Sequence, residues 1–544
     1  MMSFIKLAFS FFLVILLPNI GASQVSKVWQ ADQGDGTYIN PILHADYSDP
    51  DVVRVGDDFY MTASSFNAVP GLPILHSKDL VNWELIGYAL QSLEPNDHFS
   101  KPQHGNGVWA PAIRYHEGEF YIYWGDPDFG IFVVKTKDPA GSWDEPILVE
   151  AGKGLIDPCP LWDEDGKAYL SHAYAGSRAG IKSVLVVKPM NWEGTKTLGS
   201  GKLVFDGHEA HPTVEGTKFY KRNGLYYIFA PAGGVSTGWQ LILKSKNPYG
   251  PYEEHIALAQ GNTEINGPHQ GAWVKLENGD DWFIHFQDKD AYGRIVHLQP
   301  MVWNGDWPTI GEDVDGKGTG QPVMRHKKPN VGKTYPIATP IDSDEFDGND
   351  IGLQWQWHAN PKATWAFANP AKGQLRLFTD LIPEGAKNLW GVPNLLLQKF
   401  PAEEFETTTS LTFHPNEKLK GEKVGLIVMG MSYAYLGLES QEDGIYLHYV
   451  SCIDAENGKP EKKTIIKKID GKKIELRVAV TKGAKCEFSY SEDGKKFTNI
   501  KETFEATPGK WIGAKVGLFA TRNTQINDSG FVDVDWFRFA EKVE

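Results

Sequence analysis

Cysteine is scarce. The 544-residue chain carries three, Cys159, Cys452 and Cys486, and an odd number cannot close a disulfide framework, so the fold must be held by its core. Cys452 and Cys486 either pair or remain buried thiols. Long apolar runs are lacking too. The run from Leu7 to Pro18 falls short of the roughly 20 residues that a membrane span needs. A surplus of positive charge is also missing. A net charge of −15 and a pI near 5.6 argue against a nucleic-acid partner, whose binding depends on Lys and Arg neutralising phosphates. A neutral or cationic substrate fits better.

The short apolar run follows Lys6 and precedes the small residues Gly21-Ala22-Ser23. That order describes a secretory signal peptide over residues 1–23 and predicts a periplasmic or extracellular protein. No cysteine lies near the expected cleavage site, which argues against a lipid anchor.

What the chain has in quantity is aromatic side chains and turn formers: 18 Trp, 21 Tyr, 28 Phe, 56 Gly and 33 Pro. This is an all-β composition. A pattern recurs five times between about residues 45 and 310, at the spacing of propeller blades. Each copy has a strand, a charged Gly turn, an aromatic strand and a strand that ends in a lysine-bearing turn. The turns GDD, HEGE, EDGK, RNG and ENGDD each join two alternating apolar and polar runs, which is hairpin chemistry. Five such repeats predict a five-bladed β-propeller over residues 30–320, in which the start of every innermost strand points at one axis. The Gly-, Pro- and charge-rich stretch 321–338 reads as a linker. From 339 to 544, ten to a dozen short strand patterns without helical periodicity predict a C-terminal β-sandwich of the concanavalin or jelly-roll kind.

The strand starts are acidic: Ser48-Asp49-Pro50-Asp51 in the first repeat, Ile156-Asp157-Pro158 in the third and Val214-Glu215-Gly216 in the fourth. One acid before Pro or Gly is ordinary turn chemistry. Three facing one axis repel one another, raise pKa values and point to function. Glycoside hydrolysis asks for this set: an acid to protonate the leaving oxygen, a carboxylate to activate water or attack, and a third to tune the acid.

The segments NPILHADYSDPDVVRVGDDFYM, LHSKDLVNW, GVWAP, DPCPLWDEDGKAYL and VEGTKFYKRNGLYYIFA resemble those of glycoside hydrolase family 43, the β-xylosidases and α-L-arabinofuranosidases. The resemblance covers residues 38–310, and the C-terminal sandwich resembles the appended domain of the longer members. It implies an inverting enzyme with Asp49 as general base, Asp157 as pKa modulator and Glu215 as general acid; a pocket at the mouth of a propeller channel, narrowed by a sandwich loop, accepts one terminal sugar and predicts exo action. For inversion, Asp49 and Glu215 should stand about 6.5–9.5 Å apart, against about 5 Å for retention. It implies further that Phe66 walls the sugar pocket, that Arg294 binds hydroxyls of the terminal sugar, and that the sandwich lends a loop to the pocket rim. By position, Trp109 either stacks on a sugar ring or packs between blades. Gln270 and Gln287 are further pocket candidates.

His269 opens the fifth repeat and should face the axis; the resemblance to related propellers implies that a histidine there touches a central ion or water. Glu345 and Asp535, near the two ends of the sandwich, carry oxygen ligands suited to a structural Ca²⁺, or are solvated turn carboxylates. Trp355, Trp357 and Trp365 either bind polysaccharide or pack on the propeller. No organic cofactor is required, because an acid and a base suffice. The substrate expected is a plant polysaccharide or its oligosaccharides, with a slight preference for arabinofuranosyl over xylosyl ends. The sequence carries no signal for oligomeric state.

Particular residues oppose two other functions. A retaining invertase-type propeller carries Arg-Asp-Pro and Glu-Cys signatures, whereas this chain reads Ile156-Asp157-Pro158 and Glu215-Gly216. A non-catalytic sugar-binding propeller would have no use for an acid of raised pKa.

Overall fold

Alternating strands joined by tight turns leave no edge covered except by another blade, and the chain solves this by closing them into a ring. The computed structural model describes residues 25–542; the expected signal peptide, residues 1–23, lies outside the described residues. Five antiparallel sheets of four consecutive strands follow one another. Blade I comprises Asp51–Val55, Asp58–Thr62, Gly71–Ser77 and Trp83–Leu90. Blade II comprises Trp109–His116, Glu119–Asp126, Gly130–Thr136 and Ile147–Ala151. Blade III comprises Leu155–Trp162, Ala168–Tyr174, Val184–Met190 and Lys202–Asp206. Blade IV runs through Lys218–Arg222, Leu225–Ala232, Trp239–Ser245 and Glu253–Leu258, and blade V through His269–Lys275, Asp281–Asp288, Arg294–Asn304 and Trp307–Ile310. Neighbouring blades touch through their inner strands in a closed cycle that returns from blade V to blade I. The fold is a five-bladed β-propeller.

Each blade has one strand more than the three legible in the repeats. The outermost strands Ile147–Ala151 and Lys202–Asp206 are short and largely exposed, and Glu253–Leu258 buries only its last two residues fully, so they carry no apolar alternation to announce them.

Among the described residues no strand is exchanged between the first and last blades. The ring is closed instead by the segment before blade I: Thr37–Ile39 pairs with Arg325–Lys327, Leu43 bridges Val296, and the Tyr38 hydroxyl and Asn40 amide both donate to the Leu298 carbonyl at 2.8 Å. Residues expected to form a linker are thereby pinned to the propeller. The Lys328 ammonium adds an ion pair with Asp79 at 2.8 Å.

Beyond the strand starts, the innermost strands of different blades are tied together by charged side chains. Asp51 Oδ2 accepts from Arg114 at 2.6 Å, Arg114 also donates to Cys159 Sγ at 2.9 Å, and the Lys218 ammonium donates to the Pro111 carbonyl at 2.6 Å. Asp51 and Lys218 are fully buried.

The C-terminal domain is a sandwich of an eight-stranded and a seven-stranded sheet. Its core, including Leu411, Leu426, Leu476, Val516, Val534 and Phe537, is continuous with Ala291, Tyr292 and Ile295 of the propeller. Trp355, Trp357 and Trp365 belong to this core and are buried, so they pack rather than serve as sugar platforms. All three cysteines are free thiols; Cys452 ends a strand of one sheet, while Cys486 lies in the other. No helix among the described residues is long and apolar enough to cross a membrane.

Candidate active site

The first residue of each innermost turn adopts an unusual backbone. Asp49 (φ 54°), Ala110 (φ 36°), Asp157 (φ 57°) and Gln270 (φ 40°) are left-handed, and in blade IV the place is taken by Gly216 (φ 64°). Such a conformation costs a non-glycine residue roughly 1–2 kcal/mol, and Asp tolerates it best. In blades II, III and V the pairing register slips at this point, between Trp109 and Ala112, Ile156 and Cys159, and His269 and Gly271. A bulge of this kind bends the strand and re-aims its side chains. Asp49 and Asp157 occupy the left-handed position itself, whereas Glu215 stands one residue earlier, in register with Trp109 and His269. From there all three acids face one cavity of about 340 Å³.

Each carboxyl group has a different environment. Asp49 Oδ2 accepts from the hydroxyls of Ser48 at 2.8 Å and Ser64 at 2.6 Å. Arg294 Nη1 lies 3.2 Å from Asp49 Oδ1 and donates to the Ser48 hydroxyl at 2.8 Å. Asp157 Oδ2 accepts from the backbone N–H of Gly216 at 2.6 Å, which fixes the residue after Glu215. The Glu215 carboxyl accepts no hydrogen bond among the described residues. Burial, followed by the neighbouring charges of Asp157 and Asp49, pushes its pKa well above the usual carboxylate range. Asp157 is pushed up as well, chiefly by burial. The site therefore holds a carboxylate oriented by a cation beside a carboxyl group kept protonated, the division of labour that acid–base hydrolysis requires.

The cavity walls are aromatic on one side and polar on the other. Phe66, Trp109 and Trp511 line it together with Tyr174, Lys182, Gln270 and Arg294. Trp511 comes from the sandwich, meets Trp109 edge-on at 6.3 Å between ring centroids, and lies 5.8 Å from the Arg294 guanidinium. It is the rim contribution expected of the second domain. Gln270 is 3% exposed and its amide nitrogen is buried without a partner among the described residues.

The sequence model described as Glycosyl hydrolases family 43 matches residues 38–308, and that described as Beta xylosidase C-terminal Concanavalin A-like domain matches residues 343–540. A putative beta-xylosidase of Xylanibacter ruminicola is 40% identical over 504 residues, covering 91% of this chain and 88% of its own. The chain belongs to glycoside hydrolase family 43. It is also similar to a beta-xylosidase of Formosa agariphila, 34% identical over 93% of this chain and 91% of the relative. A non-reducing end alpha-L-arabinofuranosidase of Bacteroides ovatus is 28% identical over 92% of this chain and 94% of its own. Among solved structures, the Bacteroides ovatus protein of a xyloglucan locus, GH43B, superposes with a TM-score of 0.80 at 26% identity, covering 93% of this chain and 100% of that one.

Other expected site residues of this family 43 enzyme lie elsewhere. Gln287 does not line the cavity. Its amide donates to the Glu264 carbonyl and Asn266 Oδ1 and its oxygen faces His297 Nε2, so it braces the loop before blade V. His269 lies behind the cavity wall, fully buried, with Nε2 3.9 Å from Glu215 Oε1 and neither ring nitrogen paired among the described residues. Burial, then the positive charge of Arg294, lowers its pKa to about 3. The imidazole is thus neutral and retains a lone pair for a cation or a water.

In the sandwich, Glu345 and Asp535 are not brought into a common ligand set. Glu345 forms a two-point ion pair with Arg538 at 2.7 Å, and Asp535 accepts from Gln374, Ser410 and Lys473 at 2.7–2.9 Å. Their negative charge is already matched by cationic side chains. No cluster of three or more His, Cys, Asp or Glu arranged for a metal occurs among the described residues.

Tyr174, Lys182 and Trp511 line the cavity but were left unnamed by sequence reasoning. Trp511 stands 296 positions beyond Glu215 in a Gly-rich loop, PGKWIG. Its only signal was an aromatic in a turn-rich segment.

Proposed function

We propose that this protein is a secreted, inverting, exo-acting hydrolase that releases a terminal pentosyl residue from plant hemicellulose or its oligosaccharides. The observation that carries the reading is the convergence of Asp49, Asp157 and Glu215 in one cavity of about 340 Å³ that Trp511 also lines. Glu215 donates its proton to the glycosidic oxygen as the bond to the anomeric carbon breaks. Asp49 takes a proton from the water whose oxygen attacks the opposite face, giving a free sugar of inverted configuration. Asp157 keeps Glu215 protonated and, through Gly216, in place. Arg294 orients Asp49 and meets the sugar hydroxyls.

Sequence alone leaned to arabinofuranosyl ends, but the two more similar relatives carry the name beta-xylosidase. They support β-D-xylosyl as the principal substrate and α-L-arabinofuranosyl as the secondary one. Parallel assays on 4-nitrophenyl β-D-xylopyranoside and α-L-arabinofuranoside test the preference. NMR of the first-formed anomer tests the stereochemistry, and formation of the retained anomer would overturn the roles of Asp49 and Glu215. Mass determination of the mature N-terminus tests export.

A further inference from the structure

The chemistry above leaves one buried carboxylate at the domain boundary unused. Asp46 lies three residues before Asp49 and is 5% exposed. Its Oδ1 accepts from the backbone N–H of Arg294 at 2.9 Å, and its Oδ2 accepts from the backbone N–H of Gly513 at 3.1 Å. Arg294 carries the guanidinium that holds Asp49, and Gly513 follows Trp511 by two residues. Three backbones meet here without space for side chains. A Cβ on Gly293 would lie 2.6 Å from Asp46 Cγ, and one on Gly513 would lie 2.8 Å from the Gly293 nitrogen. The Ala514 N–H donates to the Ala291 carbonyl at 2.7 Å beside it. From the sandwich, the ammonium groups of Lys399 and Lys515 both reach Gln356 Oε1, at 3.2 and 3.3 Å, and both feel the Asp46 charge.

We propose that Asp46 is a positioning residue of the hydrolytic site, joining the Arg294 strand of the propeller to the sandwich loop that carries Trp511. The proposal rests on the assignment of the cavity as the sugar site. A carboxylate offers acceptors on both oxygens, so a single side chain sets the spacing of the two N–H groups it binds. The site's two domains are thereby held in one register, and Trp511 stays over the cavity. In Asp46→Asn the one remaining carbonyl oxygen keeps the shorter bond, to Arg294. The amide NH₂ then confronts the Gly513 N–H, donor against donor, and the buried N–H is orphaned. The loop and its Trp move, while Arg294 and the carboxyl groups keep their places.

The test is a double-mutant cycle of Asp46→Asn with Trp511→Ala on a nitrophenyl pentoside, reading KM and kcat separately. In the otherwise native enzyme, Asp46→Asn is expected to raise KM about tenfold and to lower kcat by no more than about threefold. In the Trp511→Ala background the KM effect should largely vanish. Gly513→Ala, which forces the same loop away from the other side, should show the same dependence on Trp511 and serves if Asp46→Asn does not fold. An unchanged KM, or a KM increase of equal size in both backgrounds, would overturn the proposal. A wild-type enzyme that hydrolyses neither pentoside would overturn the functional assignment instead.

Discussion

The Asp157 carboxylate accepts a 2.6 Å hydrogen bond from the backbone N–H of Gly216, the residue that follows Glu215. One acid thus governs another in two ways: its charge raises the Glu215 pKa, and its hydrogen bond fixes the backbone from which Glu215 projects. Asp157 therefore needs no contact with the reacting atoms.

The pH profile of Asp157→Asn should show this. The active form of Glu215 is protonated, so activity is lost as pH rises through its raised pKa. Removing the Asp157 charge lowers that pKa, and the alkaline limb of kcat/KM should move to lower pH. Loss of tuning should also reduce kcat by about 10²-fold, within the usual range for general acid catalysis. An alkaline limb that stays in place would show that the Asp157 charge does not act on Glu215.

Gly216→Ala should disable the site without altering any polar group. A Cβ there would lie 2.8 Å from the Pro231 ring and 2.9 Å from Gln270 Cδ, at a φ of +64°. Strain of this kind costs about 1–3 kcal/mol. A lowered unfolding temperature together with a displaced Glu215 should appear as reduced kcat. Thermal melts and steady-state kinetics on the same preparation check both.

Trp511→Ala should weaken sugar capture more than chemistry. Trp511 caps the cavity but touches none of the three carboxyl groups by hydrogen bond, so KM should rise about tenfold, equivalent to about 1.4 kcal/mol, with kcat nearly preserved. Kinetics on the two nitrophenyl pentosides measure this. A fall confined to kcat would place Trp511 in the chemical step.

Asp51→Ala should be a stability variant. It leaves the mostly buried Arg114 beside Cys159 without its carboxylate partner, and breaking a buried pair costs about 3–5 kcal/mol. A large drop in unfolding temperature is expected. Asp51→Asn, which keeps an acceptor for Arg114, should lose less.

Much of this architecture was legible in the chain because its signals are local. The turns GDD, HEGE, EDGK, RNG and ENGDD fall between the paired strands they predicted, and the acids at the strand starts converge as the repeat implied. What escaped detection depends on partners distant in sequence. The outer strands Ile147–Ala151 and Lys202–Asp206 are mostly exposed, and the two-residue strands Gln356–Trp357 and Asp380–Leu381 are too short for any period. Pairing across the ring made the 321–338 stretch part of the propeller. Gln287 lies in the second strand of blade V, yet hydrogen bonds to Glu264 and Asn266 turn it from the cavity, and no local pattern reports such a bond. Glu345 and Asp535 read either as Ca²⁺ ligands or as solvated turn carboxylates, and the cations opposite them became visible only once the strands were paired.

The central claim is that Glu215 protonates the leaving group, and the most direct measurement is the leaving-group dependence of Glu215→Gln. Aryl pentosides whose leaving groups need no protonation should be cleaved by this variant at a rate close to wild type. Those with poor leaving groups should be slowed by about 10²–10⁴-fold. Equal rates for wild type and variant on the poor leaving groups would contradict the assignment.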